Sequence, residues 1–104
     1  MIKVGLMVRI EAKPDKADEV AAMLTSALAK VEKEEATTVW LAVRLGPTSF
    51  AVVDGFPDEA GRQTHLRAGA DALARAAGEL FAQPPSIERT DIVAAKLPTY
   101  TSTP

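Results

Sequence analysis

The chain has 104 residues, one histidine, no cysteine and a formal net charge of -2. That length suits a single domain burying roughly 65% of its unfolded surface, and the interspersed charge leaves no electrostatic footprint for nucleic acid or an anionic membrane. The lack of cysteine excludes disulfides, thiolate metal sites, iron–sulfur clusters and a cysteine nucleophile, and it fits a reducing cytosol. The opening run MIKVGLMVRI has too short an apolar stretch for a membrane span and no small-residue cleavage site, so a cytoplasmic location is expected.

Residues 3–12 are rich in β-branched and aliphatic side chains. Leu6, Val8 and Ile10 fall on one parity and Met7, Arg9 and Glu11 on the other, the pattern of a strand with one core face. Lys13-Pro14-Asp15 breaks the strand, and Asp15 is placed to cap a helix whose first turn carries Asp18 and Glu19. Ala17, Val20, Ala21, Leu24, Ala27, Leu28 and Val31 then recur at helical spacing over about five turns. Lys33-Glu34-Glu35-Ala36 leads out of this helix.

Residues 37–56 read as two strands joined by the turn Leu45-Gly46-Pro47-Thr48. In the first strand, Val39, Leu41, Val43 and Leu45 form an aliphatic face that reads as core. Thr38, Trp40, Ala42 and Arg44 form the other face, whose mixture of a large aromatic, a cation and small residues suits a cavity wall. In the next strand, Ala51, Val53 and Gly55 lie opposite Phe50, Val52, Asp54 and Phe56. Pro57 ends that strand, and Asp58 reads as the cap of a second helix carrying Ala60, Thr64 and His65 or Leu66. Gly69 predicts a break or kink before the stripe of Ala70, Leu73, Ala74, Ala77, Leu80 and Phe81, which Gln83-Pro84-Pro85 stops. Residues 87–96 read as a final strand. The domain therefore spans 1–97, with 98–104 a C-terminal tail that needs an external partner to become ordered.

Strand, helix, strand, strand, helix pair, strand is the order of an α+β, ferredoxin-like split βαβ fold, a four-stranded antiparallel sheet with helices on one face. The opposite face is expected to present Met7, Trp40, Phe50, Val52 and Phe56, too apolar a patch to meet water. A second copy of the same sheet is the expected cover, giving a homodimer with cavities between sheet and helices. The alternative is a monomer in which the aromatic face is a groove.

Thr38-x-Trp40, then Phe50-x-Val52-x-Asp54-x-Phe56-x-Asp58-Glu59-x-Gly61 with His65-Leu66, closed by Pro85-x-Ile87 and Asp91-Ile92-Val93-Ala94, resembles the antibiotic biosynthesis monooxygenase family of dimeric α+β barrels. The resemblance spans residues 2–97. It implies a ferredoxin-like dimer and, for characterised members, oxygenation of phenolic or quinol-type aromatics without metal or flavin; relatives degrade haem. Where the haem-degrading relatives carry a tryptophan and an asparagine, this chain has Phe56 and Met7, which weakens a haem reading. Asp54 stands where small quinol-oxygenating members often have a glutamate, and His65 matches a histidine common in the family. The asparagine and tyrosines that polarise substrate in the polyketide-oxidising members have no evident match.

Such an oxygenation needs a base, because the phenolate passes an electron to dioxygen far more readily than the neutral phenol. His65 has the unperturbed pKa, about 6.5, for that task. Arg44, and less directly Arg9, carry the positive charge to hold an oxyanion. Trp40, Phe50, Phe56 and Met7 would line the binding site for a small aromatic, and Asp54 would orient the imidazole or share its proton. Each residue has a structural alternative: Arg44 in an interface ion pair with Asp54 or Glu11, the aromatics as interface core, His65 as a half-buried polar group bonded to backbone. One histidine makes no ordinary zinc site within a chain, no phosphate-cradling glycine motif occurs, and no serine sits on a nucleophile elbow. Two readings remain open, a cofactor-independent monooxygenase and a non-catalytic dimeric small-molecule-binding or regulatory module.

Overall fold

In the structure, a computed structural model that describes residues 1–98, the alternation of Leu6, Val8 and Ile10 produces the first strand, β1 (Val4–Glu11). The helical stripe produces α1 (Ala17–Val31), and the hairpin produces β2 (Val39–Arg44) and β3 (Ser49–Phe56). A long helix, α2 (Glu59–Leu80), and a short strand, β4 (Ser86–Asp91), complete the chain. All pairings are antiparallel, in the order β2-β3-β1-β4. Both helices pack on one face: Val20 and Leu24 of α1 and Ala76 of α2 share a core with Ile10, Phe50 and Val52 of the sheet.

The register decides which residues meet the helices. Trp40 lies opposite Asp54, which lies opposite Leu6, and Arg44 opposite Phe50, which lies opposite Ile10. Trp40, Ala42, Arg44, Phe50, Val52, Asp54 and Phe56 therefore share the helix-covered face with Leu6, Val8 and Ile10. This corrects the expectation that Trp40, Phe50, Val52 and Phe56 lie opposite the helices, where only Met7 of that group is found. The uncovered face carries Met7, Arg9, Val53, Leu41 and Val43, with Leu41 57% and Val43 41% exposed. The aliphatic row of β2 is thus the bare face, because Phe50 and Phe56 already fill the space beneath the helices.

Local chemistry explains the element ends, with four further corrections. Lys16, rather than Asp15, holds the cap position of α1 and makes no side-chain capping bond. The helix start rests instead on Asp18 and Glu19 in the first turn, and the helix is 15 residues, nearer four turns than five. Asp58 caps α2 as expected, its side chain accepting from the Gly61 backbone N–H at 2.9 Å. Gly69 leaves α2 unbroken over 22 residues; a Cβ there would meet nothing within 4 Å, so the glycine is neither crowded nor needed for a kink. The last strand stops at Asp91 rather than 96. The expected tail falls outside the described residues apart from Pro98.

Gly5 allows β1 and β3 to approach, since a Cβ would come within 2.4 Å of the Asp54 carbonyl oxygen. Its own carbonyl accepts from Arg62 Nη1 at 3.1 Å, as does that of Thr90, so Arg62, only 7% exposed, pins the start of α2 to β1 and β4. Among the described residues no helix is long and apolar enough to cross a membrane.

Candidate functional site

His65 sits in the second turn of α2, where the Asp58 cap sets the helix over the end of β3. Its ring packs against Phe56, with centroids 5.4 Å apart and planes tilted by 42°. Nε2 lies 2.8 Å from Oδ2 of Asp54, and Nδ1 lies 2.6 Å from Oε1 of Glu34. Glu34 belongs to the segment between α1 and β2, where turns closed by Glu34 N–H to Val31 O and Thr37 N–H to Glu34 O aim the carboxylate inward. The Thr37 hydroxyl donates to that same Oε1 at 2.8 Å.

The imidazole is therefore clamped between two carboxylates, one from each side. Burial of the ring opposes its charge most strongly, but the hydrogen bonds it donates to Asp54 and Glu34, together with their negative charges, outweigh it and raise the His65 pKa above its usual value. Exposure falls steeply along the row, from 22% for the Glu34 side chain and 16% for His65 to 1% for Asp54. Asp54 Oδ1 is fully buried without any hydrogen-bond partner. Because Asp54 and Glu34 approach different ring nitrogens, they do not converge on a point between them; among the described residues no group of His, Cys, Asp and Glu side chains is arranged to hold a metal ion.

The other expected site residues divide into two places. Trp40, Arg44 and Phe50 line an open groove of about 410 Å³ between the edge strand β2 and α1, whose wall is completed by Leu24 and Leu28. Arg44 is not paired with Asp54 or Glu11. Its Nε donates to Gly46 O at 3.2 Å, its Nη2 to Pro47 O at 2.7 Å, and its guanidinium lies 5.0 Å from the Phe50 ring centroid. Glu11 is taken by the hydroxyls of Thr48 and Ser49. Phe56 is wholly buried behind His65. Met7 and Arg9 belong to the opposite face of the sheet, away from Trp40 and His65, so Arg9 is not placed to hold an oxyanion beside them and Met7 is not placed to line a site with the aromatics, contrary to expectation. Glu34 escaped the sequence reading. Its one signal was a carboxylate in a short connection whose neighbours, Lys33 and Glu35, made it look like an ordinary solvated turn.

No family model and no curated protein matches the sequence. Solved structures with the same fold do. A protein of Caulobacter crescentus assigned to the antibiotic biosynthesis monooxygenases is 24% identical, with 89% of this chain and 92% of that chain covered and a TM-score of 0.72. A monooxygenase of Streptomyces coelicolor, solved in complex with nanaomycin D, is 10% identical, with 94% of each chain covered and a TM-score of 0.74. The fold is thus the ferredoxin-like fold of the antibiotic biosynthesis monooxygenases, whose members among these neighbours support the resemblance carried by the motif run. The NE2512 protein of Nitrosomonas europaea, of unknown function, is 46% identical over 96% of this chain and 98% of that one, with a TM-score of 0.91. The chain belongs to the same family as that protein.

Proposed function

We propose that this chain is a cofactor-independent monooxygenase acting in the cytoplasm on a small phenol- or quinol-type aromatic. The single observation that carries the reading is the Asp54–His65–Glu34 row, a titratable histidine held by a buried carboxylate whose cross-strand partner, Trp40, lines a separate aromatic-walled groove. The Asp54–His65 pair takes the phenol proton, and the resulting anion passes an electron to dioxygen. The radical pair joins by forming a C–O bond at a ring carbon, and the peroxide anion recovers the proton. Loss of the ring C–H proton with cleavage of the O–O bond then gives quinone and water, so one oxygen atom enters the ring and the other leaves as water. Arg44 supplies fixed positive charge at the groove, while Trp40 and Phe50 stack on the ring and exclude water.

One observation favours the second reading, a non-catalytic small-molecule-binding module of the same fold: both ring nitrogens of His65 are already bonded, leaving no free lone pair for a base. Oxygen uptake with a panel of hydroquinones separates the two. The parent protein is expected to consume oxygen and His65→Ala to lose about 10²–10⁴-fold of that rate. No uptake above buffer by the parent with any of them leaves the binding module.

The uncovered face carries the rest of the proposal. Met7, Leu41, Val43 and Val53 make an aliphatic patch that a second copy of the sheet would bury, yielding a homodimer. Light scattering at micromolar concentration is expected to give twice the 11.0 kDa chain mass. Leu41→Glu is expected to return it to a single chain, and a parent that already scatters as one chain removes the dimer.

A further inference from the structure

We infer that the atom meeting the ligand is Oδ1 of Asp54, which accepts a hydrogen bond from a hydroxyl of a small aromatic, and that His65 is a positioning residue behind it. The inference rests on the aromatic-ligand part of the proposed function and changes which group does the touching. Both ring nitrogens of His65 are engaged, at 2.8 Å with Asp54 and 2.6 Å with Glu34. With a carboxylate oxygen facing each nitrogen, both nitrogens carry hydrogen, and the ring has nothing to accept a proton with. The other groups that face it are the Thr37 hydroxyl, 3.5 Å from Nδ1, and the Phe56 ring.

Asp54 has the opposite condition. Its Oδ2 is held by His65, while Oδ1 is buried and has no partner. An ionised carboxylate oxygen with no donor is costly, and such an orphan marks the place of an absent hydrogen-bond donor. The chemistry around it defines that donor. Trp40 faces Asp54 across the β2–β3 ladder, on the same side of the sheet and roughly 5 Å away at Cβ. Trp40 also walls the groove. Asp54 is not itself part of the groove wall, so contact requires the indole to turn aside; a ring stacked on the turned indole then reaches Oδ1 through a hydroxyl. When the proton moves, it leaves the ligand oxygen for Oδ1, the ligand becomes the anion, and the imidazolium stays in place on Oδ2. A ligand lacking the hydroxyl, such as a methyl ether, presents no donor.

Trp40 is the sole tryptophan, so its fluorescence reports on this place directly. The experiment titrates the full chain with hydroquinone and with 1,4-dimethoxybenzene, for the parent, Asp54→Asn and His65→Gln, with thermal melting to establish that each variant is folded. Hydroquinone is expected to bind the parent at least tenfold more tightly than the ether. Asp54→Asn turns its amide N–H₂ toward the ligand while its oxygen keeps the bond to His65, and the preference is expected to vanish or invert. His65→Gln still donates to Oδ2, and it is expected to keep the hydroxyl preference while losing the change of affinity that the parent shows as pH rises above about 6.5 and its imidazole gives up a proton. An unchanged hydroquinone preference in Asp54→Asn overturns the inference, as does its loss in folded His65→Gln or the absence of quenching by either probe. Oxygen uptake is a separate measurement: a hydroxyl preference that depends on Asp54 in a protein that consumes no oxygen keeps the contact and removes the reaction.

Discussion

Phe56→Ala is expected to lower the free energy of unfolding by about 3–5 kcal/mol, the range for emptying a fully buried aromatic site. The ring is 0% exposed, sits at the end of β3 and packs on the His65 imidazole. Its removal takes away both transfer free energy and the contacts of its neighbours, and the His65 ring packed on it is held in place by Asp54 and Glu34 rather than free to fill the space. A domain of this size has only about 5–15 kcal/mol in total, so the variant is left near its unfolding threshold. Phe56→Leu, which keeps most of the volume, is expected to cost under about 1.5 kcal/mol. Urea titration with an unchanged slope tests both, and a Phe56→Ala loss of less than about 1 kcal/mol would show that the buried ring contributes little packing. Because Phe56 also backs the imidazole, Phe56→Ala is further expected to loosen the Asp54–His65 bond and weaken the pH dependence described next.

The second large effect is on stability as a function of pH. The folded-state pKa of His65 lies above its unfolded value, so the native protein binds its proton more tightly than the unfolded chain does. The stabilisation is fully present below about pH 6.5, the unfolded value, and is lost as pH rises through the raised folded value. Its size lies between the ~1 kcal/mol of an exposed pair and the 3–5 kcal/mol of a broken buried one, because the ring is largely but not wholly buried. Chemical denaturation from pH 5.5 to 9 is expected to show the parent losing stability over that window and His65→Gln showing a flat profile. Glu34→Gln removes one of the two carboxylates that hold the charge, and it is expected to move the loss to lower pH. A parent whose stability is level across the window, or rises, contradicts the clamped imidazolium. Observing the His65 ring protons by NMR gives the same answer by a second route.

Much of the fold was legible because it rests on local chemistry. The period-two run of β1, the three-and-four spacing of α1, the Gly46-Pro47 turn and the Asp58 cap each act over a few residues, and each appears where expected. Gly69 misled because a glycine permits a kink without causing one; with no clash and continuous helical bonding, α2 runs straight through. Asp15 misled because the bond of Lys16 N–H to Lys13 O closes a turn that moves the helix start one residue on.

The site was legible in part. His65 and Asp54 stood out as a lone histidine and a lone carboxylate on an apolar strand, and they meet at 2.8 Å. Glu34 did not stand out, since nothing in a run of charged residues tells which one the chain will turn inward. Arg44 was visible as a cation on the right face, but its engagement with the turn carbonyls arises from the hairpin closing on itself.

What the amino-acid order settled alone was the sequence of elements and the two-sidedness of each strand, because propensity, capping and periodicity act within a few residues. It could not say which side of β2 meets the helices. Both sides are apolar, and a one-residue change of register exchanges them without altering the pattern. Only the pairing of Trp40 with Asp54 and of Asp54 with Leu6 placed the aromatic side inward and left Leu41 and Val43 bare. Asp54, His65 and Glu34 come from a strand, a helix and a turn that long-range packing brings to one place.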